Sequence, residues 1–327
     1  MPMANHMAAL SARLLEIQRM STEDGPGIRT TVFFKGCSLK CRWCHNPESI
    51  AAHPQVQWVA NRCIGCGTCV SHCPEGALEL APRGIVIDRQ VCRNCSVCAE
   101  ACPTSALERL GKKWRLEDLL VEVLKDRVYF DVSGGGITLS GGEPGLQSRF
   151  ASAFLETLQA QGVHTAMDTC GLYDTSLLEQ LLPGTDLLLF DLKIIDSERH
   201  RECTGHPNEK ILENARHAAR YLRTQSDAHQ MWIRTPIIPG GTDAPENIAG
   251  IGRFIATNLE GVVSRWELCA FNNLCADKYR RLDLPWPYAG YPLPSVHQME
   301  ALADTARASG VDAEIVHWSG ATKTEGT

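Results

Sequence analysis

Three cysteines in a C-x3-C-x2-C spacing are the residues of this sequence best suited to redox metal chemistry. Cys37, Cys41 and Cys44 close the stretch DGPGIRTTVFFKGCSLKCRWC, which begins at Asp24. An iron–sulfur cubane normally takes four protein thiolates, so a loop that offers three leaves one iron without a protein ligand. An open coordination position is where a substrate can bind. For three cysteines taken alone, a structural zinc or a disulfide loop is the alternative.

Eight further cysteines form two identical runs, each ending in Cys-Pro. Each run has the C-x2-C-x2-C-x3-C-P spacing of bacterial ferredoxins, in which the fourth cysteine ligates the other cluster. Zinc is the alternative, and the duplication disfavours it. The first expected quartet is Cys63, Cys66, Cys69 and Cys102, and the second is Cys92, Cys95, Cys98 and Cys73.

Composition restricts the function classes. The chain has 327 residues and a net charge of -6, which gives no basic footprint for nucleic acid. No apolar run reaches the roughly 18 residues of a membrane span, and the N-terminus lacks the apolar core of a signal peptide. Most of the 15 cysteines have metal-ligand spacings, which favours a reducing compartment over a disulfide scaffold. We therefore expect a cytoplasmic protein that binds neither nucleic acid nor membrane.

The elements that must position these cysteines alternate between strands and helices. This alternation predicts an α/β fold with a parallel sheet wound by right-handed units, whose functional face lies at the carboxyl ends of the strands. Residues 1–13 lack clear periodicity, and we interpret them as disordered or as a start-site extension. Strands are predicted at 28–35, 85–87, 137–139, 163–167, 187–190, 231–238, 262–271 and 311–316, and helices at 116–124, 150–158, 177–182, 211–222, 248–256 and 296–308.

The cysteine runs and the alternating elements define the predicted organisation. Residues 1–52 would carry the first strand and the cysteine loop. Residues 53–110 would form a compact insert of the two-cluster ferredoxin type, and residues 111–327 the remaining strands and helices.

Polar groups follow several predicted strands, where charges of both signs could hold one zwitterionic ligand. Glycines let the backbone approach a ligand closely, aspartates can bind a hard cation, and Lys193 can meet a carboxylate as a point charge. Arg234 could clamp a carboxylate, although a structural ion pair is the alternative. For the other candidates the alternatives are structural: a plain turn for the glycine segment, and strand caps or a surface ion pair for the aspartates and Lys193. The candidates are Gly141, Gly142, Glu143, Asp168, Thr169, Asp191, Lys193 and Arg234.

The flanks of the three-cysteine loop carry a family resemblance. Gly25-x-Gly27-x-Arg29, Phe33 and Gly36-Cys37, together with the loop, resemble the glycyl-radical-enzyme activating enzymes of the radical S-adenosylmethionine (SAM) superfamily. The resemblance extends from about residue 14 to 317. It implies a partial, open (β/α)6 barrel with the ferredoxin-like α+β insert. It also implies reductive cleavage of SAM at the open iron, which generates a 5′-deoxyadenosyl radical that abstracts hydrogen from a glycine of a partner enzyme.

The resemblance also assigns roles to the strand-end residues. The segment Gly141–Glu143 would contact the amino end of SAM, and Lys193 its carboxylate. A monovalent cation would bind Asp168, Thr169 and Asp191. Asn272 is predicted to contact SAM by hydrogen bonds. It stands where well-known members have a Tyr-His pair, so this chain departs from the pyruvate formate-lyase branch there.

Other residues of the right type are given no ligand role. His45 is interpreted as a turn residue. Cys170, Cys203, Cys269 and Cys275 have no ligand spacing.

The implied cofactors are three [4Fe–4S] clusters, SAM and the monovalent cation. The implied partners are a glycyl radical enzyme and a flavodoxin or ferredoxin reductant, with the chain itself a monomer. The insert would relay electrons or dock the partner, and its presence argues against the pyruvate formate-lyase activator itself. Two alternatives stay open: a radical SAM enzyme acting on a small molecule, and a ferredoxin-type electron-transfer protein. The latter would hold about eight irons rather than about twelve.

Overall fold

The computed structural model describes residues 10–225 and 230–323 as a mixed sheet flanked by helices, with a cysteine-rich segment attached. The strands are β1 (Ser11–Ser21), β2 (Arg29–Phe34), β3 (Gln55–Trp58), β4 (Leu78–Ala81), β5 (Gly84–Ile87), β6 (Leu107–Leu110), β7 (Lys112–Arg115), β8 (Gly136–Gly141), β9 (His164–Thr169), β10 (Leu187–Asp191), β11 (Gln230–Ile237), β12 (Val263–Ala270) and β13 (Val316–Ser319). The helices are α1 (Pro47–Ile50), α2 (Thr68–Ser71), α3 (Val97–Glu100), α4 (Leu116–Val123), α5 (Arg127–Ser133), α6 (Ser148–Ala160), α7 (Thr175–Leu181), α8 (Ser197–Thr204), α9 (Glu209–Leu222), α10 (Pro245–Asn258), α11 (Ala276–Arg281) and α12 (Val296–Arg307).

Nine strands form the main sheet in the order β13-β12-β11-β10-β9-β8-β2-β1-β7. Every pairing from β2 to β13 is parallel, whereas β1 pairs antiparallel with both β2 and β7. All six residues of β2 are buried, as expected for a parallel strand covered on both faces. The predicted parallel sheet is therefore confirmed over its main part, and the antiparallel edge was not predicted.

Several predicted bounds were wrong. Ser11–Arg13 belong to β1 and are not part of an irregular segment, while residues 1–9 lie outside the described part of the chain. The last strand is β13 rather than 311–316. Asp312 accepts a hydrogen bond from the Glu314 backbone at 3.0 Å and starts a short 3₁₀ turn, so the strand begins only at Val316.

Three helices of six residues or more were not predicted, and each lacks a clear apolar stripe. The four-residue helices α1, α2 and α3 were not predicted either. Helix α5 exposes Val128 and Val132, and α8 is mostly polar, with the sequence SERHRECT. The short α11 follows the sheet strand β12 and carries four charged residues in six. Periodicity cannot identify helices whose position depends on their neighbours.

The cysteine-rich segment, residues 53–110, has its own small core. Strand β3 pairs antiparallel with β6, and β4 with β5, which contains the predicted strand at 85–87. The duplicated runs place α2 and α3 at equivalent positions. Each helix follows a residue with a φ of 71°, Gly67 or Ser96. The internal repeat of the sequence is thus a repeat of local structure.

Candidate active site

The three-cysteine loop starts directly after β2, at the carboxyl end of the parallel strands. The backbone N–H groups of Gly36 and Cys37 donate to the carbonyls of Ser49 and Ile50 at 2.7 and 3.0 Å. Farther along the loop, the N–H of Lys40 donates to the carbonyl of Thr204 at 2.8 Å. The loop is therefore held in place by its own return segment and by α8.

The glycines at the end of β8 fit against this loop. The N–H groups of Gly142 and Glu143 donate to the carbonyls of Phe34 and Gly36 at 2.8 and 2.7 Å. A Cβ on Gly141 would lie 2.6 Å from the backbone nitrogen of Phe34, and one on Gly142 would lie 2.2 Å from the Gly36 carbonyl oxygen. Both positions require glycine because the backbone of the β8 end lies too close to the backbone of residues 34–36 to leave room for a Cβ. Both glycines also line the cavity described next.

A cavity of about 430 Å³ brings most of the predicted site residues together. A larger cavity, of about 710 Å³, lies beside Leu10, Gln147 and Leu177 and is lined by no cysteine, so the smaller one is the candidate site. It lies at the strand ends, as the parallel sheet predicts. Its lining includes Cys37, Cys41, Cys44, Gly141, Gly142, Asp168, Thr169, Asp191, Lys193 and Arg234.

The charged side chains of this cavity form two linked groups. Lys193 pairs with Asp191. Arg234 lies 3.5 Å from Glu267 and 4.0 Å from Asp168, whose carboxylate accepts a hydrogen bond from Ser140 at 2.7 Å. Burial and the charge of Asp191 raise the pKa of Asp168 to about 6. Burial opposes the charge of Lys193, but Asp191 and the nearby thiols Cys41 and Cys170 raise its pKa above the ordinary range.

Comparison with known proteins identifies the family. A profile of the Radical SAM superfamily matches residues 31–250. The chain is 40% identical to the (2S)-3-sulfopropanediol sulfolyase activating enzyme of Bilophila wadsworthia, over 81% of this chain and 87% of that one. It is 37% identical to the indoleacetate decarboxylase activating enzyme of Tractidigestivibacter scatoligenes, over 94% of this chain and 98% of that one. The chain belongs to the glycyl-radical-enzyme activating enzymes of the radical SAM superfamily.

A solved structure supports the fold assignment of this activating enzyme. A radical SAM methyltransferase from Sphaerobacter thermophilus superposes with a TM-score of 0.52 at 14% identity, covering 94% of this chain and 78% of that one. At this identity the likeness concerns the fold alone. The family has a radical SAM α/β fold, and the mixed sheet of this chain agrees with it.

The thiols of the activating enzyme occur in sets that fit iron–sulfur clusters. Beside the loop trio, one small cavity is bordered by Cys63, Cys66, Cys69 and Cys102, and another by Cys73, Cys92, Cys95 and Cys98. Among the described residues, no three His, Cys, Asp or Glu side chains are close enough to hold one metal ion. A cubane is wider than one ion because each thiolate binds a different iron atom. Burial raises the pKa of Cys41 and Cys44 to about 12, so a metal must displace their protons.

Two of the residues predicted to bind SAM, Glu143 and Asn272, are not among those that line the cavity. Glu143 is fully buried, and its carboxylate accepts hydrogen bonds from the backbone of Gly145 at 3.0 Å, from Thr169 Oγ1 at 2.9 Å and from the backbone of Cys170 at 2.9 Å. Burial raises its pKa well above the ordinary range. Asn272 Oδ1 accepts from the backbone of Leu274 at 3.1 Å. Glu143 therefore supports the Thr169–Cys170 turn, and Asn272 shapes its own loop.

Other residues at the cavity were not predicted. His45, interpreted as a turn residue, and Cys170, given no role, both line it, as does Asp24. Asp24 accepts hydrogen bonds from Ser21 and Thr31, each at 2.6 Å. Asp24 directly precedes Gly25, the first residue of the family motif, and that position is the sequence signal that could have identified it.

An aromatic cluster packs against the cysteine loop from the side of residues 271–288. Trp43 of the loop joins Phe271 and Tyr288 in one buried group, with Cys41 and Trp286 against it. Tyr279 donates its phenol hydrogen to the Cys44 carbonyl at 3.0 Å, and its ring lies 4.6 Å from that of Trp286. This cluster covers the loop on one side and separates it from water.

No helix of the described residues is both long and apolar enough to cross a membrane.

Proposed function

We propose that the activating enzyme cleaves SAM at the loop of Cys37, Cys41 and Cys44 and thereby generates a glycyl radical on a partner glycyl radical enzyme. The observation that supports this site most strongly is the single cavity that joins the three thiols to acidic and basic groups suited to a zwitterion. When bound by the three thiolates, a [4Fe–4S] cluster supplies the electron for reductive cleavage to methionine and a 5′-deoxyadenosyl radical.

The chain's own side chains would bind and orient SAM. Lys193 would exchange its partner Asp191 for the methionine carboxylate. Asp191 would then hold a monovalent cation together with Asp168 and Thr169, since carboxylate and hydroxyl oxygens suit a hard cation. This cation would offset the negative charge that the aspartates and the ligand carboxylate bring together.

The ends of the ligand would be recognised by different strands. Gly141 and Gly142 line the cavity beside the loop, where backbone groups can meet the amino end. Arg234, already balanced by Glu267, would contribute a second positive charge. We assign Glu143 and Asn272 indirect roles, through the turns that they stabilise.

We also propose that the sheet from β2 to β12 forms a partial (β/α)6 barrel and that residues 53–110 are a two-cluster ferredoxin-like domain. The four-thiol cavities and the repeated helices support this proposal. The chain would then hold three [4Fe–4S] clusters, receive electrons from a flavodoxin or ferredoxin, and act as a monomer in the reducing cytoplasm.

A cysteine substitution tests the site. Cys41→Ala should lower the iron content from about twelve to about eight per chain and abolish formation of 5′-deoxyadenosine from SAM with dithionite. The matched control is Cys275→Ala, a buried cysteine outside the cavity lining, which should keep both. Formation of 5′-deoxyadenosine by Cys41→Ala at the parent rate would show that this loop is not the site.

The partner is tested by electron paramagnetic resonance (EPR). A glycyl radical signal should form on a purified protein with a C-terminal glycine-radical loop that is encoded beside this chain. Cleavage of SAM without any such signal would favour a small-molecule substrate instead.

A further inference from the structure

The two four-thiol cavities of the cysteine-rich segment lie at different ends of the β3–β6 strand pair. Gln55 pairs with Leu110 at the end that joins the main sheet, and Trp58 pairs with Leu107 at the far end. Val56, next to Gln55, borders the cavity of Cys73, Cys92, Cys95 and Cys98, which we call the inner quartet.

Trp58 and Leu107 border the other cavity. We call its thiols, Cys63, Cys66, Cys69 and Cys102, the outer quartet. Val56 is two residues nearer than Trp58 to the end that joins the main sheet, so the inner quartet lies at the end of the β3–β6 pair that faces the main sheet.

Independent contacts join the chain just before Cys92 of the inner quartet to helix α11. Arg89, the second residue after β5, donates to the carboxylate of Asp283 at 3.0 Å and to the carbonyl of Arg281 at 3.4 Å. It also donates to the Val56 carbonyl at 2.5 Å. The N–H of Cys92 donates to the Asp88 carbonyl at 2.9 Å. Arg89 therefore links the chain next to Cys92 to the C-terminal end of α11. Asp88, its neighbour in the sequence, is bonded to Cys92, and Arg281 is the last residue of the helix.

Helix α11 is in turn joined to the three-cysteine loop. Tyr279 donates to the Cys44 carbonyl at 3.0 Å, and Lys278 lies 2.8 Å from Glu48 of α1. A continuous series of bonds thus runs from Cys92 through Arg89 and α11 to Cys44. Each quartet has one exposed thiol, Cys66 in the outer and Cys95 in the inner, and beside the outer quartet Ile64 is also exposed, to 67%.

We propose that the inner quartet holds the cluster that passes electrons to the loop at Cys37–Cys44, that the outer quartet receives them, and that Arg89 is the positioning residue that keeps this order. The proposal rests on the cluster assignment under the proposed function. In each transfer a low-potential one-electron donor, such as a reduced flavodoxin or a viologen radical cation, is oxidised by one electron. The cluster at the loop is reduced by one electron, and no bond forms or breaks.

Matched cysteine variants test the order. Cys66 and Cys95 occupy equivalent positions of the two runs, and both are exposed. Cys66→Ala and Cys95→Ala should each lose about four irons. In the holoenzyme reduced with dithionite, we would measure the microwave power that half-saturates the EPR signal of the loop cluster, because a nearby paramagnetic cluster speeds its relaxation. This power should fall severalfold in Cys95→Ala, to the value of a variant that carries both Cys66→Ala and Cys95→Ala, and stay near the parent value in Cys66→Ala.

The reverse result, a fall in Cys66→Ala alone, would overturn the order while leaving SAM cleavage intact. A parent chain with about four irons that still cleaves SAM would overturn the cluster assignment and the order together. Loss of cleavage by the parent itself would instead refute the proposed function. If either single variant loses about eight irons, the arginine variants decide the question, because their clusters stay complete.

Arg89→Ala should keep about twelve irons and the parent affinity for SAM. Its half-saturation power should fall, and reduction of the loop cluster by reduced flavodoxin should slow at least tenfold in stopped flow. Arg89→Lys, which retains the charge but not the fork of donors, should be intermediate. The control is Arg83→Ala, an exposed arginine of the same segment, which should match the parent. Parent-like relaxation and parent-like reduction in Arg89→Ala would contradict the role of Arg89.

Discussion

At the scale of single residues, the site is a balance of charges beside thiols. Asp191 and Lys193 were expected to share a face because strand side chains alternate with a period of two. Strand β10 ends at Asp191, and Lys193 reaches back to pair with it. The cavity also contains Asp168 and Arg234, so its two aspartates and two basic groups balance one another, and the proposed monovalent cation would offset the added carboxylate of the ligand.

Substitution of this pair should separate ligand binding from cluster binding. Lys193→Ala should weaken SAM binding roughly ten- to a hundredfold, because one charge-assisted bond contributes on the order of 1.5–3 kcal/mol. Asp191→Ala should weaken it less, and high potassium or sodium should reduce that defect. The measurement is titration of the reduced cluster's EPR signal with SAM at unchanged iron content. The control is Lys210→Ala, a surface lysine paired with Glu213. Parent affinity in both site variants would mean that this strand end is only a cap.

At the scale of elements, the glycine-rich motif before β2 packs this strand closely against β8 and the residues that precede it. A Cβ on Gly27 would lie 2.4 Å from the backbone nitrogen of Gly135, and Gly27 has a φ of 68°. Arg29 is fully buried, and its guanidinium donates to Thr138 Oγ1 at 2.6 Å and to the Ile137 carbonyl at 2.8 Å. The motif thus fixes β2 against β8, on which the cysteine loop depends.

Alanine substitutions at two glycines with nearly the same backbone conformation test this interpretation of the motif. Gly27→Ala should lower the free energy of unfolding by about 3 kcal/mol or more, since strain at positive φ adds to a backbone clash. Gly134 has a φ of 69° with no atom within 4 Å of the position of a Cβ. Gly134→Ala should therefore cost only about 1–2 kcal/mol. Denaturant unfolding of both variants measures the difference, and equal costs would show that the contact with Gly135 relaxes freely.

At the scale of the whole molecule, Lys35 joins the cysteine-rich segment to the sheet. This buried lysine follows β2 and donates to the Glu48 carbonyl at 2.5 Å and to Gln55 Oε1 at 2.9 Å. A Cβ on Gly111, where the chain returns from the segment, would lie 2.6 Å from Lys35 Cδ. The Lys35 side chain therefore contacts both connections between the main sheet and the cysteine-rich segment.

The ammonium of Lys35 should make stability depend on pH. Burial lowers its pKa from 10.5 to about 8, so between these values the unfolded chain binds more protons than the folded one. Parent stability relative to Lys35→Met should rise with pH across this window, by at most on the order of 3 kcal/mol. Denaturant unfolding of the metal-free proteins at pH 7.5 to 10.5 measures it. Lys40→Met, at an exposed lysine, is the control. A difference that falls with pH would contradict the burial of this charge.

Local spacing was the signal that predicted the metal chemistry of this chain. Cysteines separated by two residues can converge on one cluster, so the loop trio and the two runs were recognisable as candidate ligands from the sequence alone. The alternation of apolar stretches likewise indicated the parallel strands, since strands buried on both faces read as continuous apolar runs. Polar residues at the ends of these strands were expected to meet, and Asp168, Asp191, Lys193 and Arg234 do line one cavity.

Only the tertiary structure decided where the remaining side chains point. Glu143 and Thr169 both lie at strand ends beside the loop. The buried carboxylate of Glu143, however, accepts three hydrogen bonds from the protein itself and does not line the cavity. His45 faces the cavity, and Asn272 is not in its lining. The position of α11 between two sets of thiols depends on Arg89, Tyr279 and Lys278, which contact residues far away in the sequence. Such contacts leave no periodic signal, because their partners become neighbours only when the sheet and the cysteine-rich segment pack together.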